Sequence, residues 1–171
     1  ISIFATVRIL EKALVGELEK SSLDAAISLH NESFQRSYDR WLDALYIDKY
    51  EIMGDAQLLA ASFLMDTGLY YQGVVAPVYG DMENLATPLF GPPIPQATFA
   101  YRLIRFYNRR LVRIARFRKA VGIYGRKSSG WRDLRKFSLG YGGFRLVLGG
   151  VGHWLRAELE TFFQALVRGF P

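Results

Sequence analysis

Residues 99–121 constrain the possible fold of this chain most, because their apolar residues recur at the spacing of an α-helix. On a helical wheel, five arginines fall within one arc of roughly 80°. They are Arg102, Arg105, Arg109, Arg113 and Arg116. The opposite side is apolar and comprises Leu103, Ile104, Tyr107, Leu111, Ile114, Ala115 and Val121. The pattern predicts a helix that buries one side and presents an arginine stripe on the other.

The charges of the chain are segregated, so the stripe has no acidic residue nearby in sequence. Residues 1–83 hold six basic and thirteen acidic side chains, whereas residues 84–171 hold sixteen basic and three acidic ones. Like charges on adjacent helical turns repel by a few tenths of a kcal/mol per pair. Solvent and salt, the acidic half of the same chain, or an anionic partner could relieve this repulsion. Arginine suits bidentate contact with phosphate or carboxylate, which favours an ordered interface over a diffuse basic coat. As an anionic partner, phosphates of RNA or head groups of acidic lipid would fit.

A proline-rich segment at residues 86–98 coincides with the change of charge sign. Proline fixes φ and lacks a backbone donor, so this segment is predicted to be a stiff connector. It would separate an acidic helical region, residues 1–85, from a basic helical region, residues 99–171. Within the acidic region the spacing predicts helices over residues 3–18 and 21–65, with a break near Gly54. The predicted buried positions there are Ala26, Leu29, Phe34, Tyr38, Trp41, Leu45, Ile52, Leu59 and Phe63.

Residues 137–155 form a glycine-rich apolar segment in which Arg145 is the only formal charge. On a helix, Gly142, Arg145, Gly149 and Gly152 would share one face, and a face of small residues lets another helix approach closely. Arg145 would then point at that partner rather than at lipid. A membrane-embedded segment and a tightly packed segment of a soluble protein both fit. Residues 58–79 are also apolar, but their interruptions favour a core helix over a membrane span.

The sequence contains no pattern typical of a catalytic or cofactor-binding site. Without cysteine, it excludes disulfides, thiolate metal sites and cysteine nucleophiles. The only histidines, His30 and His153, do not stand at a metal-ligating spacing. A phosphate loop, a dinucleotide fingerprint and a nucleophile elbow are all missing from the sequence. No catalytic residue, metal or cofactor is therefore predicted, and the chain is not expected to be an enzyme.

Strand signals are few, so a mainly α-helical fold is predicted, and the composition indicates burial in a larger assembly or contact with lipid. Hydrophobic residues make up 50% of the chain and aromatic residues 15%, which is high for a freely soluble monomer. The sequence begins at Ile1 and its first methionine is Met53, which fits a protein whose targeting peptide has been removed, or an incompletely known sequence.

Together these features predict a non-catalytic accessory subunit of a large membrane-associated assembly. A respiratory or ATP synthase complex of the mitochondrial inner membrane fits best, with other protein subunits and anionic phospholipid as partners. The alternative is an RNA-contacting accessory protein of an organellar ribosome. A third interpretation is a small soluble helical domain whose two halves neutralise each other.

Overall fold

The computed structural model describes residues 2–16, 19–75, 95–126 and 143–169, and these ranges contain five α-helices and no strand. The helices are α1 (Ser2–Leu14), α2 (Lys20–Leu45), α3 (Ala56–Tyr70), α4 (Pro95–Ala120) and α5 (Gly143–Arg168). A short 3-10 turn, Lys49–Glu51, precedes α3, and a π-helical turn, Tyr71–Val75, follows it. The prediction of a mainly α-helical fold is confirmed.

The helix boundaries differ from the sequence expectations where proline and capping residues act. α4 begins at Pro95, four residues before the expected start, because proline is well suited to the first position of a helix. Residues 95–98 of the expected connector are therefore helical, and residues 86–94 lie outside the described ranges. The expected break near Gly54 lies in the turn that ends at Asp55, the N-cap of α3. No helix in the described parts of the chain is long and apolar enough to cross a membrane.

The chain divides into two compact units, each made of two separate stretches. The first unit comprises residues 1–43 and 72–101, and the second comprises residues 44–71 and 102–171. Within the first unit, Tyr101 donates a hydrogen bond to Asp43, and the guanidinium of Arg40 lies 5.5 Å from the centre of the Tyr101 ring. These contacts attach the first turns of α4 to the end of α2.

Helix α2 is much more exposed than its apolar spacing suggested. Leu29, Phe34 and Tyr38 are 42, 49 and 52% exposed, so the prediction that they are buried is wrong. Phe34 and Tyr38 stack on each other with ring centres 6.5 Å apart, which removes part of their apolar surface from water. Phe63 on α3 is also exposed, whereas Ile52 is buried as predicted.

Helix α3 is the centre of the second unit and is buried on most of its circumference. Leu58, Leu64 and Met65 are essentially inaccessible, and a helix that is apolar all round belongs in a core. It packs closely against α5 through glycines. A methyl group added to Gly68 would lie 2.6 Å from the carbonyl oxygen of Gly143, and one added to Gly150 would lie 2.8 Å from the amide nitrogen of Met65. The two backbones therefore nearly touch.

Helix α4 covers another side of this core with the apolar face that its sequence predicts. Ile104, Tyr107, Leu111, Ile114 and Ala115 are all 3% exposed or less, which confirms the amphipathic prediction. Burying one large aliphatic or aromatic side chain contributes about 1.5–3 kcal/mol. This face therefore fixes which way the opposite, polar face of α4 points.

Candidate functional site

The arginines of the predicted stripe lie together on the outer side of α4. Arg102, Arg109, Arg113 and Arg116 are exposed, and Arg105 is partly exposed. This set of five arginines is called the arginine face below. Since α4 carries no acidic side chain, no pair within the helix compensates for the repulsion between them.

At the end of α4, the arginine face lies close to the carboxylate of Glu51. Glu51 lies 3.7 Å from Arg116 and 2.6 Å from the ammonium of Lys119. The hydrogen bond from Lys119, followed by its charge, lowers the pKa of Glu51 below its ordinary value, and Arg116 adds to this effect. Among the residues that the structure describes, none forms an ion pair with Arg102, Arg109 or Arg113. Those three charges face solvent.

A sixth arginine of α4, Arg118, is buried instead and forms the first of two internal ion networks. One of its terminal nitrogens donates to both oxygens of Asp55 at 2.8 and 2.9 Å, and the other donates to Gln57 at 2.6 Å. Glu160 of α5 lies 3.5 Å from the second nitrogen. Side-chain exposure is 3% for Arg118 and none for Asp55, so the pair is enclosed.

Asp55 is held in place by three parts of the chain. As the N-cap of α3 it accepts a hydrogen bond from the amide of Leu58 at 3.2 Å, the usual way to satisfy a free helix-start donor. It also accepts from the amide of Gly125 at 3.3 Å. Gly125 has φ of 72°, a left-handed conformation that glycine adopts without steric cost. The turn after α4 is thereby attached to the start of α3.

Tyr124 also attaches the turn after α4 to the segment that precedes α3. Its hydroxyl donates to the carbonyl of Glu51 and accepts from the amide of Gly54, both at 2.8 Å. The ammonium of Lys119 lies 4.9 Å from the centre of its ring. These bonds fix the end of α4 relative to the segment that supplies Glu51.

The second internal network surrounds the buried ammonium of Lys49. It donates to Asp66 at 2.5 Å, to Asn108 of α4 at 2.7 Å, and to the hydroxyl of Ser62. Ser62 donates in turn to Asp66 at 2.9 Å, and Tyr107 donates to the other oxygen of Asp66. Burial lowers the pKa of Lys49 and Asp66 opposes that effect, while burial followed by the Asp66 charge raises the pKa of Tyr107 well above its ordinary value.

This network superficially resembles a catalytic serine–lysine pair, but its bonding is closed. An ammonium has three donors, and all three are used by Ser62, Asp66 and Asn108. Lys49 and Ser62 are also buried, at 8 and 3% exposure. The arrangement holds the 3-10 turn, α3 and α4 together, and this bonding favours a structural role over nucleophilic chemistry.

The predicted helix-packing residues of the glycine-rich segment are distributed differently around α5. Gly142 lies outside the described ranges, and Arg145 is exposed. A methyl group on Gly149 would make ordinary contact with Leu64, and one on Gly152 would have open space around it. Within the chain, the close approach to α3 is made by Gly143 and Gly150, which the sequence reasoning missed. Their seven-residue spacing, two helical turns, was the available signal.

Side-chain contacts between α4 and α5 join residues that lie 47 or 48 positions apart in sequence. Arg110 forms a bidentate ion pair with Glu158 at 2.8 and 2.9 Å, and these hydrogen bonds raise the pKa of the guanidinium. Phe106 packs edge-on against Trp154 with ring centres 5.9 Å apart. Arg168 donates to the carbonyl of Val121 at 3.0 Å. The two helices therefore run parallel along this seam.

Between the ends of these helices lies a cleft of about 210 Å³, lined by Arg118, Ile123, Arg126, Glu160, Thr161 and Gln164. The Arg118 guanidinium in its wall is already bonded to Asp55 and Gln57, and Glu160 places a carboxylate beside it. In the described part of the chain, no group of acidic and histidine side chains is arranged to hold a metal ion. The arginine face remains the candidate site, because its Arg102, Arg109 and Arg113 are exposed and form no ion pair with a described residue.

Comparison with protein-family models, curated proteins and solved structures gives no significant match.

Proposed function

We propose that this chain is a non-catalytic accessory subunit of a large membrane-associated assembly. In this role the arginine face binds anionic lipid head groups or acidic faces of neighbouring subunits. The observation that carries the proposal is the exposure of Arg102, Arg109 and Arg113 on a helix whose opposite side is core. Each basic side chain near an acidic membrane surface contributes about 1 kcal/mol of attraction.

Exposed apolar side chains support a role in an assembly. In the first unit, Leu10, Leu14 and Val15 are 54, 86 and 70% exposed. Large apolar side chains that lie together on a surface, as Leu10 and Leu14 do one helical turn apart, are typical of surfaces that other molecules cover. The buried networks around Arg118 and Lys49 support the non-catalytic part, because the charged groups of both networks bond to partners within the fold.

The kind of assembly that we propose is a respiratory or ATP synthase complex of the mitochondrial inner membrane. The composition and the basic second half of the chain support this choice. Native purification under mild detergent is the direct test: the chain should copurify with the other subunits of such a complex and with anionic phospholipid. Recovery of the chain alone in the soluble fraction of gently broken cells would contradict the proposal.

A triple variant tests the arginine face itself. Arg102→Gln, Arg109→Gln and Arg113→Gln together should weaken binding to anionic vesicles by roughly a hundredfold, from about 1 kcal/mol per charge. The matched control is Lys12→Gln, Lys20→Gln and Arg126→Gln, which removes the same charge from exposed positions elsewhere. Equal weakening by both variants would mean that net charge alone, not the arginine face, determines binding.

RNA as the partner remains the alternative prediction and is tested by the same variants. RNA binding through this face should weaken steeply as salt increases, with the logarithm of affinity linear in the logarithm of salt concentration. The triple variant should then reduce that slope. Tight, salt-sensitive binding to RNA together with no binding to anionic vesicles would favour the ribosomal interpretation.

A further inference from the structure

The outer side of α5 carries eight large apolar side chains that are between 52 and 83% exposed. They are Phe144, Leu148, Leu155, Leu159, Phe162, Phe163, Leu166 and Val167. At about 100° per residue, all but Phe163 and Val167 fall within an arc of roughly 60°. These six residues are called the apolar stripe of α5 below. The stripe covers about 33 Å of helix at 1.5 Å per residue.

One edge of this stripe is basic, and Glu158 lies on the other edge. Arg145 and Arg156 are exposed and lie beside the stripe on the wheel. The two acidic residues of α5 are only partly exposed and are held in ion pairs: Glu158 with Arg110, and Glu160 with Arg156 at 3.0 Å. Arg156 is therefore balanced by Glu160, and the positive charge near the stripe comes mainly from the arginine face of the neighbouring α4.

The arginine face belongs to the helix next to this stripe, in the same compact unit. The Arg110–Glu158 pair and the Phe106–Trp154 contact lie along the seam between α4 and α5. Phe106 is 55% exposed, so apolar surface continues from α5 onto α4. A surface that fits this seam has to accept apolar side chains and many positive charges at once.

We infer that α5 lies flat on an anionic phospholipid bilayer, with its apolar stripe at the boundary between head groups and acyl chains. This inference rests on the proposed function and names the surface that makes the membrane contact. A bilayer offers an apolar interior beneath a plane of phosphates, which matches an apolar stripe with a basic edge.

The depth of α5 in the bilayer can be measured directly, since the chain has no cysteine of its own. A fluorophore attached through Leu159→Cys should be quenched by brominated acyl chains in vesicles that contain phosphatidylglycerol. A fluorophore attached through Tyr50→Cys is the control, because Tyr50 is 82% exposed in the same unit but lies off α5. Vesicles of phosphatidylcholine alone should give little quenching at either position.

A binding variant complements the depth measurement. Leu155→Ser with Leu159→Ser should weaken partition onto anionic vesicles at least about tenfold, because apolar area leaves the bilayer. Tyr50→Ser with Met53→Ser is the control, since both residues are exposed elsewhere. Circular dichroism and thermal unfolding of each variant show whether its fold is intact.

Three results would overturn the inference. If the chain binds anionic vesicles but the label at position 159 is quenched no more than the label at position 50, the contact is made elsewhere. The arginine face, and with it the proposed function, would then stand without the α5 contact. Lack of binding to anionic vesicles would also overturn it. So would sedimentation showing a dimer in which the label at position 159 is shielded without lipid. Failure of the proposed function itself would appear separately, as absence of copurifying subunits and lipid from native membranes.

Discussion

Individual charged residues in this protein have opposite roles that depend on burial. Arg118 and Arg113 lie on the same helix, yet one is enclosed with Asp55 and the other faces solvent. A buried ion pair gains little over an apolar pair, but loss of one partner leaves the other charge without compensation. Substitution of one partner in a buried ion pair should therefore cause the largest changes in the free energy of unfolding.

Arg118→Met should lower the free energy of unfolding by about 3–5 kcal/mol, because Asp55 would remain buried without its cation. Urea unfolding of the wild type and the variant measures the change. The matched control is Arg36→Met, whose partner Glu32 is on the surface with side-chain exposure of 61%. That change should cost under about 0.5 kcal/mol. Similar losses in both variants would contradict a special role for the Arg118 pair.

The raised pKa of Tyr107 makes the free energy of unfolding depend on pH in the alkaline range. Its pKa is raised in the folded protein by burial and by Asp66, so it keeps its proton where the unfolded chain loses it. The contribution of Tyr107 is therefore fully present below about pH 10 and falls as the pH rises above that value.

Tyr107→Phe should make the alkaline fall in unfolding free energy less steep than in the wild type. Chemical unfolding between neutral and alkaline pH measures this difference. Lys49, whose pKa is lowered, changes stability in the opposite direction, but it is present in both proteins. Identical pH profiles would show that Tyr107 ionises equally easily in the folded and unfolded states.

Helix α5 is packed tightly against α3 on one side and is open on another. Alanine substitutions at its glycines test this difference. A methyl group at Gly150 would lie 2.8 Å from the amide of Met65 and 3.0 Å from the carbonyl of Ala61, and backbone cannot move aside easily. A methyl group at Gly152 would meet nothing within 4 Å. The same substitution should therefore have opposite effects two residues apart.

Gly150→Ala should destabilise the protein by about 1–3 kcal/mol through overpacking, despite the better helix propensity of alanine. Gly152→Ala should instead stabilise it by up to about 1 kcal/mol, because only the propensity changes. Thermal unfolding of both variants decides between these signs. Stabilisation by both substitutions would mean that α3 and α5 are not in close contact.

Local periodicity explains why the helices were predictable and the networks were not. The apolar side of α4 follows from spacing within one segment, and Ile104, Leu111 and Ala115 are buried accordingly. The position of Arg118 off the stripe was visible in the sequence, but its partner Asp55 is 63 residues away. The Lys49–Asn108 bond likewise joins residues 59 apart. Such pairs depend on how helices pack, which no local pattern encodes.

Across the described parts of the chain, helices α2 and α3 differ in how many of their residues are buried. In α2 only Ser33 and Ala44 are buried, whereas most of α3 is inaccessible. Segments with few buried contacts open at a lower free energy than core segments.

Native-state hydrogen exchange should therefore show faster exchange for amides of α2 than for amides of α3 and the apolar face of α4. Mass spectrometry of peptides from each helix measures the difference. Addition of the native partner should slow exchange in whichever surface it covers. Equal protection of α2 and α3 in the isolated chain would contradict this expectation.

The fastening of the turn after α4 has a consequence for what can bind. Tyr124 and Gly125 anchor the end of the helix, so its arginines stand at set intervals along a rigid rod. From Arg102 to Arg116 the rod measures about 21 Å at 1.5 Å per residue. In the proposed anion-binding role, a single phosphate would contact one arginine, whereas an extended array of negative charges would contact several arginines along the helix. The affinity for an anionic array should therefore increase with the length of the array until the array is as long as the arginine face.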